Sequence, residues 1–461
     1  MNESSAHPGS TMLQGPVWNR ILLFALPVAA TGMLEQLFNA SDIAIVGSFA
    51  QTGRTEAVAA VGANSPIVGL LVNFFVGIAL GANVVIAQAV GQRKPKTIEQ
   101  AVQTSLLLAI ACGLATTLIG EAVIGTGLSL MNIPANVYPH ALQYMRIYLA
   151  GMPAILLYNF EASVFRSIGE TKTPLLALAV SGVINVILNL FFVIVVHLSV
   201  AGVAIATVIA NVISSLILLA ILLKTDKPIR LSLHDLHPSR AVAARILRIG
   251  LPAGLQSSVF AIANIIIQTA INSLGTVVMA ASSAAFNVEI FCYYVLNSFT
   301  QACTTFVSQN YGAGQFDRCR KILGVSITEG ILATVLSIAL VLSCGRSLLA
   351  IFNSSPQVIE NGYWRMVIVF AGYVFSVLYE SFSGYLRGFG ISLVPALLTV
   401  LGVCGVRLVW VFAVFPQHPT FPFLMLCFPI SLCVTALLMA GAVFHYRPAA
   451  KEQVLHETAA Q

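Results

Sequence analysis

The sequence predicts an all-α membrane protein of twelve transmembrane helices, built as two parallel repeats of six. Three observations carry this. The chain of 461 residues is 58% hydrophobic and only 9% charged, whereas a soluble domain carries roughly 25% charged residues. Its surface therefore meets lipid. Apolar runs long enough to cross a bilayer, about 20 residues each, recur from end to end. They are continuous, unlike the short alternating strands of a β-barrel. Finally, motifs of the first half return in the same order in the second.

The spans follow in order. Those of the first half are Val17–Phe49, Ala57–Val90, Ile98–Gly120, Met145–Phe165, Leu175–Val196 and Val200–Leu223. Those of the second are Ile249–Leu274, Val277–Val307, Ile322–Leu342, Met366–Tyr385, Leu393–Phe415 and Phe421–Phe444. Several exceed the minimum length and must tilt, bend or project. The opening residues lack the charged, short-apolar and cleavage regions of a signal peptide, so a cytoplasmic tail is expected over 1–16. The N-lobe is expected over 17–223, a cytoplasmic linker over 224–244, the C-lobe over 245–446 and a second cytoplasmic tail over 447–461.

Loop charge sets the orientation. "GQRKPK" (Gly91–Lys96), "FRSIGETKTP" (Phe165–Pro174), the linker from Lys224 to Arg248 and "GAGQFDRCRK" (Gly312–Lys321) are basic, and Arg387, Arg447 and Lys451 fall on their side. The opposite side holds Arg54, Arg146, Arg346 and Arg365. By the positive-inside rule both termini are cytoplasmic, in a multi-pass protein of the plasma (inner) membrane.

The repeat runs the length of the chain. "RILLFALP" (Arg20–Pro27) answers "RILRIGLP" (Arg245–Pro252), and Asn39 then answers Asn264. Asn64 answers Asn287, "AQAVG" (Ala87–Gly91) answers "SQNYG" (Ser308–Gly312), and "FRSIGETKTP" answers "LRGFGISLVP" (Leu386–Pro395). An even number of spans per repeat gives both the same starting side, so their symmetry axis should lie along the membrane normal.

Six acids lie well inside predicted spans: Glu35, Asp42, Glu161, Glu289, Glu329 and Glu380. A carboxylate at mid-bilayer costs about 2.5–3.5 kcal/mol on insertion scales, so each needs a polar cavity, a partner or a proton. Glu35, Asn39 and Asp42 share one helical face, Asp42 about 10 Å beyond Glu35 at roughly 1.5 Å per residue. Asn185 with Asn189 forms a second stripe, Glu289 with Tyr293 and Asn297 a third, and Glu380 with Ser376 and Ser383 a fourth. Structural roles compete with functional ones: Asn185 and Asn189 as interhelical glue, Glu161 paired with Arg166, and Glu329 snorkelling to the cytoplasm. Arg407, the only base deep in a span, should meet a carboxylate or a backbone carbonyl. Two acids on one face are too costly to serve as glue, which favours function for Glu35 and Asp42.

Other chemistry is not signalled. The eight cysteines are scattered without metal-ligand spacing and read as small core residues. The pair in "HDLH" (His234, His237) fits a solvated turn. There is no nucleotide-binding loop, nucleophile motif or zinc-protease helix, so neither an enzyme nor a cofactor is expected, nor a nucleic-acid partner.

These segments resemble a known family. "LFNASDIAIVG", "AQAVGQRK", "FRSIGETKTPLL", "INVILNLFFVI", "SQNYGAGQFDRCRK" and "YLRGFG" are similar to the multidrug and toxic compound extrusion (MATE) transporters, from about Arg20 to Phe444. The resemblance implies two six-helix lobes around a central cleft and export of small cationic or amphipathic substrates by alternating access, coupled to H⁺ or Na⁺. Asp42 matches the first-helix acid and Asn185 with Asn189 the fifth-helix polar pair. Many members carry Asp where this chain has Asn189. Where some carry an acid in the seventh helix this chain has Phe260, and Glu289 resembles an acid of another branch.

The coupling-ion and substrate site is therefore expected among Asp42, Glu35, Asn39, Asn185, Asn189, Glu289, Glu380 and Glu161, with Tyr293, Asn64 and Asn287 lining the substrate path. Tyr293 and Tyr158 offer ring faces to a cation, or simply pack. Burial of a carboxyl disfavours its charged form, so a coupling ion and a cationic substrate would compete for it. A two-lobe transporter of this kind needs no second copy, which makes a monomer embedded in lipid sufficient. A lipid-linked oligosaccharide flippase shares the architecture but would want more cations than Arg407 in its cleft.

Overall fold

A computed structural model describes residues 10–49, 54–131, 133–232, 234 and 236–448, and these are helical almost throughout. Lys451, most of both expected tails and part of the linker lie outside the described residues.

The first half contains α1 (Ser10–Leu13), α2 (Val17–Phe49), α3 (Arg54–Gly91), α4 (Pro95–Leu130), α5 (Tyr138–Ala150), α6 (Met152–Ser167), α7 (Lys172–Leu190) and α8 (Ser199–Lys224). The second contains α9 (Arg240–Asn272), α10 (Thr276–Gly312), α11 (Phe316–Ser343), α12 (Gly345–Phe352), α13 (Pro356–Ala371), α14 (Tyr373–Gly388), α15 (Leu393–Thr399), α16 (Val406–Val409), α17 (Phe421–Met425) and α18 (Cys427–Tyr446). Among the described residues, ten helices are long and apolar enough to cross a membrane, or up to twelve when two bent pairs each count as one span. Large apolar side chains face outward as a lipid-facing surface requires: Leu118, Leu336, Phe412 and Leu437 each expose 69–74% of their area.

The bent pairs differ from the straight spans expected over Met145–Phe165 and Met366–Tyr385. The chain turns by 50° between α5 and α6 and by 43° between α13 and α14. At the first break Pro153 stands in the opening turn of α6, where its missing N–H and fixed φ suit a new helix start. At the second, Gly372 lies so close to Pro429 and Leu432 that a Cβ would collide with both. Other departures from α geometry are π-helical turns at Phe191–Val195, Val400–Gly405 and Trp410–Val414.

The repeat is visible in backbone detail. After α6 the chain reverses through Gly169 at φ 85°, and after α14 through Gly390 at φ 84°. Both turns close with the same bond: Glu170 N–H to Phe165 O at 3.1 Å, and Ile391 N–H to Leu386 O at 3.0 Å. This is the left-handed helix ending that favours glycine.

Two compact units emerge. One draws on Ala30–Val90 and Lys94–Leu247. Within it Asn64 ties α3 to the Ala141 carbonyl of α5 at 2.9 Å, and Asn83 ties α3 to the Ser163 carbonyl of α6 at 3.2 Å. The linker is held to the same unit by Lys227–Glu170 at 2.7 Å and by His237 N–H to Gln103 at 2.8 Å. The other unit draws on the described residues of Met1–Ala29, Gly91–Arg93 and Arg248–Gln461. Its core joins Phe24, Phe299 and Phe306 with Cys303, Cys319 and Tyr385, and a second cluster centres on Leu349, Met366, Leu424 and Met425.

Candidate functional site

In the unit that holds most of the first half, three helices meet at one carboxylate. Asp42, on α2, is 5% exposed. Asn189 on α7 donates from Nδ2 to its Oδ1 at 2.6 Å, and Thr207 on α8 donates to its Oδ2 at 3.1 Å. Asn189 Nδ2 also reaches Asn185 Oδ1 at 3.0 Å, and Asn185 Nδ2 reaches Thr207 Oγ1 at 3.4 Å. Asn185 and Asn189 meet because they are one helical turn apart. The π-helical turn that follows Asn189 is a local widening of the kind frequent at functional sites. Close approach of α2 to α7 is possible because residue 182 is glycine: a Cβ there would fall inside the Phe38 ring.

No base pairs with Asp42 within ion-pair distance among the described residues. The cluster is one ionisable group among neutral polar ones. Its oxygens are the Asp42 carboxylate, Asn185 Oδ1, Asn189 Oδ1 and Thr207 Oγ1, and Asn189 Oδ1 has no hydrogen-bond partner.

The other expected residues of this unit do not join the cluster. Glu35 is half-buried and Asn39 exposed. Glu161 on α6 is fully buried, and neither of its oxygens has a hydrogen-bond partner, so the expected pairing with Arg166 is absent from it. Asn64 is fully buried and ties helices together, and Tyr158 is buried with its hydroxyl 3.4 Å from the Pro174 carbonyl.

In the second unit the acids separate. Glu380 on α14 accepts from Asn297 at 3.2 Å, Thr300 at 3.3 Å and its neighbour Tyr379 at 3.2 Å. Asn297 thus serves Glu380, not Glu289 as its spacing suggested. Tyr293 is half-buried, its ring 6.3 Å from that of Tyr294. Glu289 is held in a bidentate pair by Arg365, at 2.9 and 3.0 Å, and Arg365 also donates to Ser282 at 2.7 Å. Arg365, expected among the loop bases, is 4% exposed: it is the partner that the buried charge of Glu289 requires. Asn287 is half-buried and bonds only back to its own helix, at Ser283 O. Glu329 does not snorkel; its two oxygens are buried without hydrogen-bond partners. Arg407 lacks the carboxylate or backbone carbonyl partner expected for it. It donates to Ser431 at 3.1 Å and Asn264 at 3.2 Å.

Sequence reasoning missed Thr207 and the role of Arg365. Thr207 stands in "AIATVIAN", where a threonine is unremarkable among β-branched residues. Its only signal is the Asn211 that follows one turn later on the same face.

Comparison with known proteins identifies the family. The sequence profile of the MatE family matches residues 27–191 and 252–412, one segment in each half. The chain is 26% identical over 398 residues to the probable multidrug resistance protein YoeA of Bacillus subtilis, covering 85% of each chain. It is 23% identical over 398 residues to the probable multidrug resistance protein NorM of Thermotoga maritima, covering 84% of this chain and 83% of that one. Among solved structures, an outward-facing multidrug resistance MATE family transporter of the MOP superfamily superposes with a TM-score of 0.88 at 20% identity, covering 96% of this chain and 99% of that one. The helices, the internal repeat and a family profile that covers most of the sequence agree, and the chain belongs to the MATE family of multidrug efflux transporters.

Proposed function

We propose that this chain exports small cationic or amphipathic compounds across the plasma (inner) membrane in exchange for H⁺ or Na⁺, by alternating access, and that the exchange centres on Asp42. The observation that carries this is a buried carboxylate with no basic partner among the described residues, ringed by Asn185, Asn189 and Thr207. Glu289, by contrast, is neutralised by Arg365. Asp42 instead has only neutral dipoles, which tolerate either a proton on the carboxyl or a cation among its oxygens.

Exchange then works by competition. From outside, a proton or Na⁺ neutralises Asp42 and releases the cationic cargo; inside, cargo displaces the ion. Asn189 cannot titrate, so the cluster handles one positive charge per cycle. The basic loops support a cytoplasmic placement of both termini, and a two-lobe transporter needs no second copy. No resident cofactor is required. Flipping of a lipid-linked oligosaccharide is not favoured, since among the described residues the bases buried in spans are Arg365, already paired, and Arg407, with the half-buried Arg166 and Arg387 at helix ends.

The test is uptake of ethidium into proteoliposomes holding the purified protein, driven first by a pH gradient and then by a Na⁺ gradient. Accumulation under either supports antiport; accumulation under neither removes it.

A further inference from the structure

We infer that the second half carries an oxyanion-recognition site built around Arg407, suited to the carboxylate of an aromatic amphiphile. Arg407 is 2% exposed. Its Nε donates to Ser431 on α18 and its Nη1 to Asn264 on α9, at 3.1 and 3.2 Å. The Phe428 and Phe260 rings lie 4.4 and 5.1 Å from its guanidinium carbon. Among the described residues no carboxylate lies within ion-pair distance, and Nη2 has no acceptor. A guanidinium carries five donors in a fixed fork that matches a carboxylate. Here two are used, both on neutral oxygens that hold the side chain without neutralising it.

A purely structural arginine at this depth should look like Arg365, whose carboxylate partner takes two parallel bonds. The same unit therefore contains both cases: a base with its acid, and a base whose acid is missing. The walls are not sealed, since Phe260, Asn264 and Phe428 are each only half-buried. The backbone is shaped around the residue as well. Arg407 sits on the four-residue α16 between π-helical turns at Val400–Gly405 and Trp410–Val414, and such turns recur at functional sites.

The repeat sharpens the chemistry. Counted from the matching Pro27 and Pro252, Phe260 stands where the first half has Glu35, and Ile267 where it has Asp42. Counted from Pro174 and Pro395, Arg407 falls one residue past the match of Asn185. In the second half Phe260 and Ile267 take the places of the acids, and a base one residue past the match of Asn185, on the helix that answers α7, stands among neutral groups instead. One half suits a cation and the other an oxyanion, and a cargo with a carboxylate beside an aromatic body fits the latter. This goes beyond the antiport reading and is tested without any ion gradient.

The experiment is equilibrium binding to the full chain in phospholipid nanodiscs, with 1-naphthaleneacetate and its neutral isostere 1-naphthaleneacetamide as probes. The wild type is expected to prefer the carboxylate by about tenfold or more, the worth of a charge-assisted hydrogen bond. Arg407→Gln should bring the two probes to parity. Because that variant loses a buried anchor, Asn264→Asp serves as a second: it keeps the side-chain shape and supplies an internal anion to Nη1. It should also abolish the preference. Equal binding of the two probes by wild type, or an undiminished preference in Asn264→Asp, would overturn the proposal.

Discussion

Asp42→Asn isolates the charge from the shape of its cluster. The side chain stays the same size, and the bonds from Asn189 at 2.6 Å and Thr207 at 3.1 Å can be kept with neutral partners. Each such bond falls from about 1.5–3 kcal/mol for a charged acceptor to about 0.5–1.5 kcal/mol. Relief from burying a charge offsets this loss, so stability should change by no more than about 1 kcal/mol. Transport should change far more. One proton exchanged per cargo ion makes a pH unit worth about 1.4 kcal/mol, or about tenfold accumulation. Cargo moves against protons, so vesicles acidic inside should take up ethidium, roughly tenfold per pH unit in the wild type. If Na⁺ is the coupling ion, a tenfold outward Na⁺ gradient does the same. Exchange of one monovalent cation for another moves no net charge, so a membrane potential should not alter the plateau. Asp42→Asn should equilibrate ethidium without accumulating it under either gradient. Gradient-driven accumulation by a folded Asp42→Asn protein would refute the reasoning.

Asn189→Asp adds a second titratable group 2.6 Å from the first; proteoliposome uptake should then become sensitive to membrane potential and steepen towards about a hundredfold per pH unit, two charges per cycle. Glu289→Gln leaves Arg365 buried without its acid, a loss of about 3–5 kcal/mol, which should appear as a clear drop in thermal melting of the detergent-solubilised protein. Gly390→Ala forces a side chain into φ 84°, at a cost of about 1–2 kcal/mol, and the same melting assay should register a small loss.

The transmembrane spans were legible because bilayer crossing demands long apolar runs, and α2 occupies the very range read for it, Val17–Phe49. The repeat was legible too, since it is written in matching residues such as Arg166 and Arg387. The breaks at Gly151 and Gly372 were not, because each glycine is closely approached by another helix, Val208 of α8 at the first and Pro429 and Leu432 of α18 at the second, which local composition does not show. In the site, helical spacing grouped Asn185 with Asn189 but had no means of finding Thr207, which reaches Asp42 from another helix. The same limit misassigned Asn297: spacing set it beside Glu289 on its own helix, whereas packing turns it to Glu380 on α14. Arg365 looked like a loop base because it immediately precedes the span read from Met366, and only its burial against Glu289 reveals it as a core ion-pair partner.

Competition at one carboxylate has a thermodynamic signature that needs no transport. Binding of tetraphenylphosphonium to the purified protein, measured by equilibrium dialysis over a range of pH and Na⁺, should weaken with slope one: once the coupling ion saturates the site, Kd rises tenfold for each tenfold rise in that ion, and Asp42→Asn should be flat. A wild-type Kd that ignores both H⁺ and Na⁺ would contradict the account.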